Sequence, residues 1–285
     1  MGRKDGKRVK NVSMMYQIVP YIMDKRYDAL NAVTQKIPYK PMQDYLKQKH
    51  KEGIEISHLS LVIAAFVRAV SQEKSLNRFV VNKKIYARDG IWIGMVILRP
   101  GETESTMTKV RLEPTDTIFE VNEKMMKMIE DNKNVQASNS TDKLMKVLLS
   151  IPGLCNVGVG LFKWMDRHGL LPKSIIDASP FHVTMTISNL ASIRTNYIFH
   201  HIYEFGTTGM LMTMGNSEDV PVKTKDGGIE LQRQMPIGLV MDERIASGCQ
   251  YAAAFRVFIN CLKNPTLLEV PPETIDEEDF TKHKK

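Results

Sequence analysis

Apolar residues recur along this chain with two spacings, one typical of helices and the other of strands. Residues 56–73 are apolar almost all round, which predicts a helix buried between layers, and residues 249–263 carry apolar side chains at helical spacing. Short apolar runs at 210–214 and 237–241 predict buried strands. No internal repeat or low-complexity linker separates these elements, so residues 13–270 are predicted to form one domain.

The clearest alternation of apolar and polar positions lies in residues 181–190. Because successive side chains of a strand point to opposite faces, this run predicts a strand with one core face and one polar face. The apolar positions are Phe181, Val183, Met185 and Ile187, and the polar positions are His182, Thr184, Thr186 and Ser188.

Other segments carry shorter local signals. They predict an edge strand or bulge at 16–23 around Pro20, a turn at 38–41 before a helix at 42–51, a surface helix opened by the Thr117/Glu120 capping pair, a polar loop at 131–141 and a hairpin turn at 225–228.

Charge and composition narrow the classes of partner. The net charge is +7, but five of the Lys and Arg residues precede position 11, so residues 1–12 are predicted to form a flexible basic arm. Residues 271–285 are predicted to form a charged flexible tail. Since no basic stripe interleaved with stacking aromatics is present, nucleic acid is not expected as a partner.

The three cysteines, Cys155, Cys249 and Cys261, have neither the spacing of a zinc site nor that of a disulfide framework. They are interpreted as reduced thiols, which favours a cytoplasmic location. No metal site is predicted. The basic N-terminus is not followed by an uninterrupted apolar segment, and the most apolar helix is too short to span a bilayer. The sequence therefore predicts neither a signal peptide nor an association with a membrane.

A strand, a short polar loop and a helix succeed one another between Met235 and Glu269. The loop resembles the Asp-His-Arg-(Val/Ile)-x-(Asp/Asn)-Gly motif of the acyltransferase cores of 2-oxoacid dehydrogenase complexes, which are relatives of chloramphenicol acetyltransferase. The matching positions are Asp242, Arg244, Ile245 and Gly248, whereas Glu243 replaces the family's catalytic histidine and Ser247 replaces its Asp or Asn.

Two further segments carry the same resemblance. Residues 186–190, Thr-Ile-Ser-Asn-Leu, resemble the family strand whose serine supplies a hydroxyl to the oxyanion, and that role falls on Ser188. Residues 75–97 resemble the family's Leu-Asn-Ala turn and the paired strands after it. The resemblance implies a chloramphenicol acetyltransferase-like two-layer α/β sandwich, with a mixed sheet and flanking helices.

The resemblance also implies a chemistry. In the family, the histidine deprotonates a coenzyme A or lipoyl thiol, the thiolate attacks an acyl thioester, and the site lies between protomers of a trimer. This chain is accordingly expected to be a homotrimeric coenzyme A-dependent acyltransferase with a modified site, taking acyl-CoA and a small-molecule acceptor as substrates. The alternative from another class is a catalytically inactive trimeric scaffold or acyl-CoA-binding protein.

The identity of the base is open at this stage. A thiol pKa of about 8.5 lies roughly 2 units above that of histidine and roughly 4 above that of glutamate, so a carboxylate is the weaker base. Three roles stay open for Glu243. It is a general base, a structural carboxylate that pairs with arginine at a site without activity, or a surface residue displaced by a local shift. His200 and His201 are either hydrogen-bonding residues at the edge of the core or the source of a replacement base.

Residues 143–171 form an apolar segment that appears inserted relative to the family. The Pro152-Gly153 break predicts a helical hairpin and not a membrane span. Two interpretations stay open, namely additional core or a lid or wall for the acyl group.

Overall fold

The computed structural model describes residues 2–98, 105–134, 150 and 152–281. Ten strands are present in these ranges: β1 Gly6–Arg8, β2 Leu30–Pro38, β3 Arg78–Val81, β4 Lys84–Arg88, β5 Ile91–Leu98, β6 Ser105–Leu112, β7 Met185–Asn189, β8 Met210–Met214, β9 Glu218–Lys223 and β10 Ile229–Asp242. The same ranges contain seven α-helices: α1 Met14–Ile22, α2 Tyr39–Lys51, α3 His58–Gln72, α4 Ile118–Asn134, α5 Leu154–Arg167, α6 Lys173–Ala178 and α7 Gly248–Lys263.

Seven strands form the main sheet, in the order β2-β10-β8-β7-β5-β6 with β9 paired to β10. The sheet is mixed, because β7 runs parallel to β5 and β8 while the other pairs are antiparallel. A smaller sheet has the order β1-β4-β3. The mixed sheet with flanking helices confirms the predicted fold class.

The main core lies between one face of the sheet and helices α2, α3, α4 and α7. Helix α3 is buried nearly all round, as its sequence predicted, and the Ser57 side chain caps its N-terminus. Along β7, β8 and β10, alternate residues such as Ile187, Met212 and Leu239 enter this core. Ser188, Thr213 and Gly238 therefore lie on the opposite side, called here the second face of the sheet.

The second face is covered by protein, which the alternation of residues 181–190 did not predict. Strand β7 begins only at Met185, and the polar positions before Ser188 are almost completely buried. The Thr184 hydroxyl is satisfied inside the protein, since its Oγ1 donates to Asn77 Oδ1 and accepts from the Trp92 backbone N–H. A polar face is thus compatible with burial when its hydrogen bonds are made inside the protein.

Two local predictions are corrected in the N-terminal third of the chain, and one strand there was not predicted. Residues 14–22 form helix α1 and not an edge strand; Pro20 lies inside it and is buried. The predicted turn at 38–41 is the first turn of α2, where proline is tolerated because the first N–H groups have no intrahelical acceptor. The strand that does lie at the sheet edge is β2, which the sequence did not predict.

Both chain ends contact the domain. Although residues 1–12 were predicted to be a flexible arm, β1 pairs with β4 and the Arg3 side chain forms ion pairs with Asp5 and Asp166. In the predicted tail, Glu278 forms a buried ion pair with Arg78. Apart from Arg3–Asp5, these contacts join residues distant in sequence, which local composition does not reveal.

The apolar segment at 143–171 lies partly outside the described residues, as do positions 135–141 of the predicted polar loop; residues 131–134 belong to α4. The described part of the apolar segment contains α5, whose Val157, Leu161 and Trp164 side chains are exposed in the single chain. These side chains do not add to the core of one protomer. No helix within the described ranges is both long enough and apolar enough to cross a membrane.

Candidate active site

Strand β10 ends at a corner of buried opposite charges. The Asp242 carboxylate accepts hydrogen bonds from Arg244 Nε at 2.9 Å and Nη2 at 2.7 Å, and lies 3.6 Å from Arg26 Nε. The three residues are only 2%, 4% and 3% exposed, in the order Asp242, Arg244, Arg26. One carboxylate therefore lies between two guanidinium groups at the centre of the corner.

The environment acts differently on the two arginines. Burial lowers the pKa of Arg26, whose remaining hydrogen bonds go mainly to the backbone carbonyls of Tyr203 and Gly206. Burial opposes the charge of Arg244 as well, but the hydrogen bonds to Asp242 outweigh it and raise the pKa of Arg244. The corner is thus held together by Asp242, and Tyr251 strengthens it by donating to the Asp242 carbonyl at 2.9 Å.

Glu243 follows this corner and is half-buried. Its Oε2 accepts a hydrogen bond from Asn31 Nδ2 at 3.0 Å, and its backbone N–H donates to the Ala29 carbonyl at 2.8 Å. Within the described residues no arginine pairs with it, because Arg244 is engaged by Asp242. The carboxylate is fixed on β2 by a neutral partner, and its second oxygen is available to a proton donor.

Ser247 and Gly248 begin helix α7. The Ser247 hydroxyl accepts from the Gln250 backbone N–H, and Gln250 Oε1 accepts from the Ser247 backbone N–H. This reciprocal capping satisfies two donors at the helix N-terminus. Ser247 therefore fixes the start of α7, and Gly248 is its first, exposed residue.

Ser188 and Glu243 do not meet within one chain. Ser188 lies beside Thr213 on β8, which in turn lies beside Gly238 on β10. Glu243 is five residues further along the chain than Gly238, so the two side chains are separated by about 17 Å along the strand direction. A site that uses both residues has to take them from different protomers.

The segment at 194–208 crosses the second face between these two positions. Near Ser188, Thr213 Oγ1 accepts from the Ile198 N–H and donates to the Ile198 carbonyl. Near the charged corner, Ile202 packs against Leu211 and Val240. His200 and His201 lie between these anchors, with ring centroids 4.5 Å apart.

The hydrogen bond of His200 determines its tautomer. Nδ1 lies 2.7 Å from the His201 carbonyl, and because a carbonyl oxygen only accepts, Nδ1 carries the proton. In the neutral ring Nε2 is then the free acceptor, which is the form that a general base needs. His200 is half-buried whereas His201 is exposed, so His200 is the better placed of the pair.

Gly238 permits the close approach of this segment to the sheet. A Cβ atom there would lie 2.8 Å from the Ile198 carbonyl oxygen, Thr213 Oγ1 and Tyr197 Cδ2. We expect Gly238→Ala to lower the unfolding free energy by about 1–3 kcal/mol, because two of these atoms are held in hydrogen bonds and have little room to move. Urea denaturation measures the change.

The matched control is Gly160→Ala in helix α5, where a Cβ atom would meet nothing within 4 Å. It is expected to leave stability unchanged or to raise it by about 0.5–1 kcal/mol, since alanine is the better helix former. Equal stability of Gly238→Ala and the wild type would show that the segment does not need the glycine.

Two residues of this region were missed by the sequence analysis. Arg26 joins Asp242 from a position 216 residues earlier, and Asn31 holds Glu243 from the unpredicted strand β2. Their residue types alone gave no signal, because Arg and Asn are common on surfaces. Only the pairing of β2 with β10 brings Asn31 to the corner.

Comparison with known proteins bears on both the sheet and this corner. Residues 181–270, which contain Ser188, both histidines and the Asp242 corner, match the family 2-oxoacid dehydrogenases acyltransferase (catalytic domain). A probable dihydrolipoamide acetyltransferase from Listeria monocytogenes 4b F2365 is structurally similar, with 13% identity, coverage of 91% of this chain and 95% of that chain, and a TM-score of 0.58.

A chloramphenicol acetyltransferase is also similar, with 10% identity, coverage of 88% of this chain and 96% of that chain, and a TM-score of 0.54. The chain has the chloramphenicol acetyltransferase-like fold. The dihydrolipoamide acetyltransferase of Azotobacter vinelandii shares this fold, with 11% identity, coverage of 92% and 94%, and a TM-score of 0.58. No curated protein matches the sequence.

Proposed function

We propose that this chain is an acyltransferase core that moves an acyl group between the thioester of an acyl-coenzyme A and a small-molecule acceptor. The observation that carries the proposal is the position of Ser188, which lies on a strand within the matched acyltransferase region and on the same face as the half-buried His200. A hydroxyl there is suited to donate to the oxyanion that forms when a thioester is attacked.

The site is proposed to form between protomers of a homotrimer. Ser188 and Glu243 lie at opposite ends of the strands of one chain, so a protomer cannot bring them together by itself. A head-to-tail interface would place the Ser188 end of one protomer against the Glu243 corner of the next, and three such interfaces close a ring.

The base is proposed to be Glu243 or His200. Glu243 has a fixed orientation and an available oxygen, but a carboxylate is intrinsically a weaker base toward a thiol than an imidazole is. His200 presents Nε2 as an acceptor in its neutral tautomer. Asp242, Arg244 and Ser247 are proposed to support the site by holding the corner and the start of α7.

The test is release of free thiol from acetyl-CoA with a panel of thiol and amine acceptors. Ser188→Ala is expected to lower kcat by about 10²–10³-fold, as for removal of an oxyanion donor. Of Glu243→Gln and His200→Ala, the one that removes the base is expected to cost about 10²–10⁴-fold. Ser192→Ala, an exposed serine close to Ser188 in sequence, serves as the matched control and is expected to keep full activity.

Mixing two inactive variants tests the shared site. If Ser188→Ala is co-assembled with the inactive base variant in equal amounts, about a quarter of the interfaces contain both intact residues and activity returns in proportion. Absence of recovery in mixed trimers would contradict a shared site. Acetyl-CoA binding without thiol release by any form would identify a noncatalytic acyl-CoA-binding scaffold instead.

A further inference from the structure

A cavity of about 500 Å³ opens beside Arg244, and neither Ser188 nor Glu243 lines it. Its walls come from the residues after α1, the turn between β3 and β4, helix α5 and residues 204–206. We refer to it as the basic cavity. Helix α5 lies outside residues 181–270, so part of the wall is built from a region that the family match does not include.

The lining of the basic cavity carries an excess of positive charge. Six of its residues are cationic and three are acidic; the cations are Lys25, Arg26, Lys83, Lys163, Arg167 and Arg244, and the acids are Asp24, Asp166 and Glu204. Each of the three carboxylates has a partner in the protein, and together they offset only part of the positive charge of the six cations. Asp166 pairs with Arg3 and lies 3.3 Å from His182 Nε2, Asp24 lies 3.4 Å from Lys83, and Glu204 accepts from the Arg26 backbone N–H.

Three of the cations have no acidic partner among the residues that the structure describes: Lys25, Lys163 and Arg167. Lys163 and Arg167 are exposed and lie one turn apart on α5, at a spacing that places them on one side of the helix. Unpaired cations grouped around a concavity raise the local concentration of anions.

The floor of the basic cavity contains a buried donor without an acceptor. Arg26 is 3% exposed, and its Nε makes no hydrogen bond, since the nearest carboxylate oxygen, on Asp242, is 3.6 Å away. Buried donors are nearly always satisfied in folded proteins. This Nε faces the Asp242 carboxylate and the other nitrogens donate to backbone carbonyls, so the guanidinium is fixed in position and its positive charge acts on the cavity that it lines.

We propose that the basic cavity binds a phosphate group. Fixed guanidinium groups and mobile lysines are the combination that recognises phosphate oxygens, and a volume of about 500 Å³ holds a molecule larger than the bare ion. The phosphate belongs to a soluble phosphate ester or to a lipid headgroup. Exposed apolar side chains on α1 and α5, among them Ile18 and Leu161, make the second source testable. The proposal does not depend on acyl transfer.

Calorimetric titration of the full chain with sodium pyrophosphate tests the site. The double variant Lys163→Glu/Arg167→Glu is expected to bind at least tenfold more weakly than the wild type. Lys47→Glu/Lys51→Glu is the matched control, because these exposed residues have the same spacing on α2 and the same change in net charge. The control is expected to bind like the wild type.

Co-sedimentation with vesicles of phosphatidylcholine, with and without phosphatidylglycerol, distinguishes the sources. Binding only to the anionic vesicles, lost in the α5 double variant and kept in the α2 control, assigns a lipid phosphate. If pyrophosphate binding is weakened in the α5 double variant and kept in the α2 control, and no vesicles are bound, the site is assigned to a soluble phosphate ester. Equal weakening in both double variants, or no binding of either probe, would overturn the proposal.

Discussion

Replacing Asp242 by alanine is expected to lower the unfolding free energy by on the order of 3–5 kcal/mol, because two buried guanidinium groups then share no carboxylate. Arg26 and Arg244 are both less than 5% exposed, so most of each charged side chain is removed from water. Urea denaturation at neutral pH measures the loss. Since Asp242 is not proposed to touch substrate, the activity of the fraction that folds reports separately on the geometry of the corner.

Glu243→Ala is the matched control for this prediction. It removes a carboxylate from the adjacent residue, but Glu243 is half-buried and accepts from a neutral asparagine. Its replacement is expected to change stability by less than about 1 kcal/mol. If Asp242→Ala were as stable as this control, the two arginines would have to be neutralised by groups other than Asp242.

Arg3→Met is expected to produce the second large effect, again on the order of 3–5 kcal/mol at pH 7. Arg3 Nε lies 2.8 Å from Asp5 and its Nη2 lies 2.7 Å from Asp166, and all three side chains are less than 10% exposed. Its removal leaves two buried carboxylates without their main counter-ion. The neighbouring Lys4→Met removes the same charge from an exposed side chain and is expected to cost less than about 0.5 kcal/mol.

The pH dependence of Arg3→Met should have the opposite sign to that of the wild type. Burial raises the pKa of Asp5 and of Asp166, but hydrogen bonds from Arg3 to Asp5, and from His182 and Arg3 to Asp166, lower each below 3.8. The wild type therefore keeps this stability above about pH 3.8 and loses it as the pH falls through the lowered values.

In Arg3→Met, burial of Asp5 is no longer opposed by Arg3, whereas His182 still lowers the pKa of Asp166. Asp5 is therefore expected to bind a proton more readily in the folded than in the unfolded chain. Stability is then expected to rise as the pH is lowered from 7 toward 5. Urea midpoints measured at several pH values check the sign. A variant whose midpoint does not rise between pH 7 and pH 5 would show that Arg3 is not what keeps the Asp5 carboxylate charged.

The sequence predicted those elements whose signals are local. Helices α3 and α7 were found from apolar spacing. The capping pair Thr117/Glu120 was confirmed at the start of α4, where each side chain accepts a hydrogen bond from the backbone N–H of the other residue. Strands β8 and the inner half of β10 were found because they are apolar runs too short for helices. In each case a few neighbouring residues contain all of the information.

Elements stabilised by distant contacts were not predictable in this way. Strand β2 lies at the edge of the sheet and is mostly half-exposed, so its sequence shows no clear alternation. Helix α1 contains Pro20, which removes an intrahelical hydrogen bond, and the proline was therefore interpreted as an edge-strand residue. The partners of Glu243 and Asp242, Asn31 and Arg26, depend on β2 and on the preceding residues and were missed for the same reason.

Some features of the candidate site were likewise predictable from local sequence, and others were not. The Ser188 strand and the Asp242–Gly248 corner were located by residue pattern, and their placement at opposite ends of neighbouring strands required the register of β7, β8 and β10. Whether Glu243 or His200 serves as the base depends on hydrogen bonds that no pattern encodes. The roles of these residues stay predictions for the kinetic experiments.

The link between Arg3 and Asp166 has a consequence for the order in which the chain folds. The two residues are 163 positions apart, so during synthesis the Arg3–Asp166 ion pair cannot form until helix α5 has left the ribosome. Closing so long a loop is slow because much chain entropy is lost before any contact forms. Until helix α5 is made, the start of the chain is exposed to proteases and chaperones, and bulky fusions placed there would compete with a late step of folding.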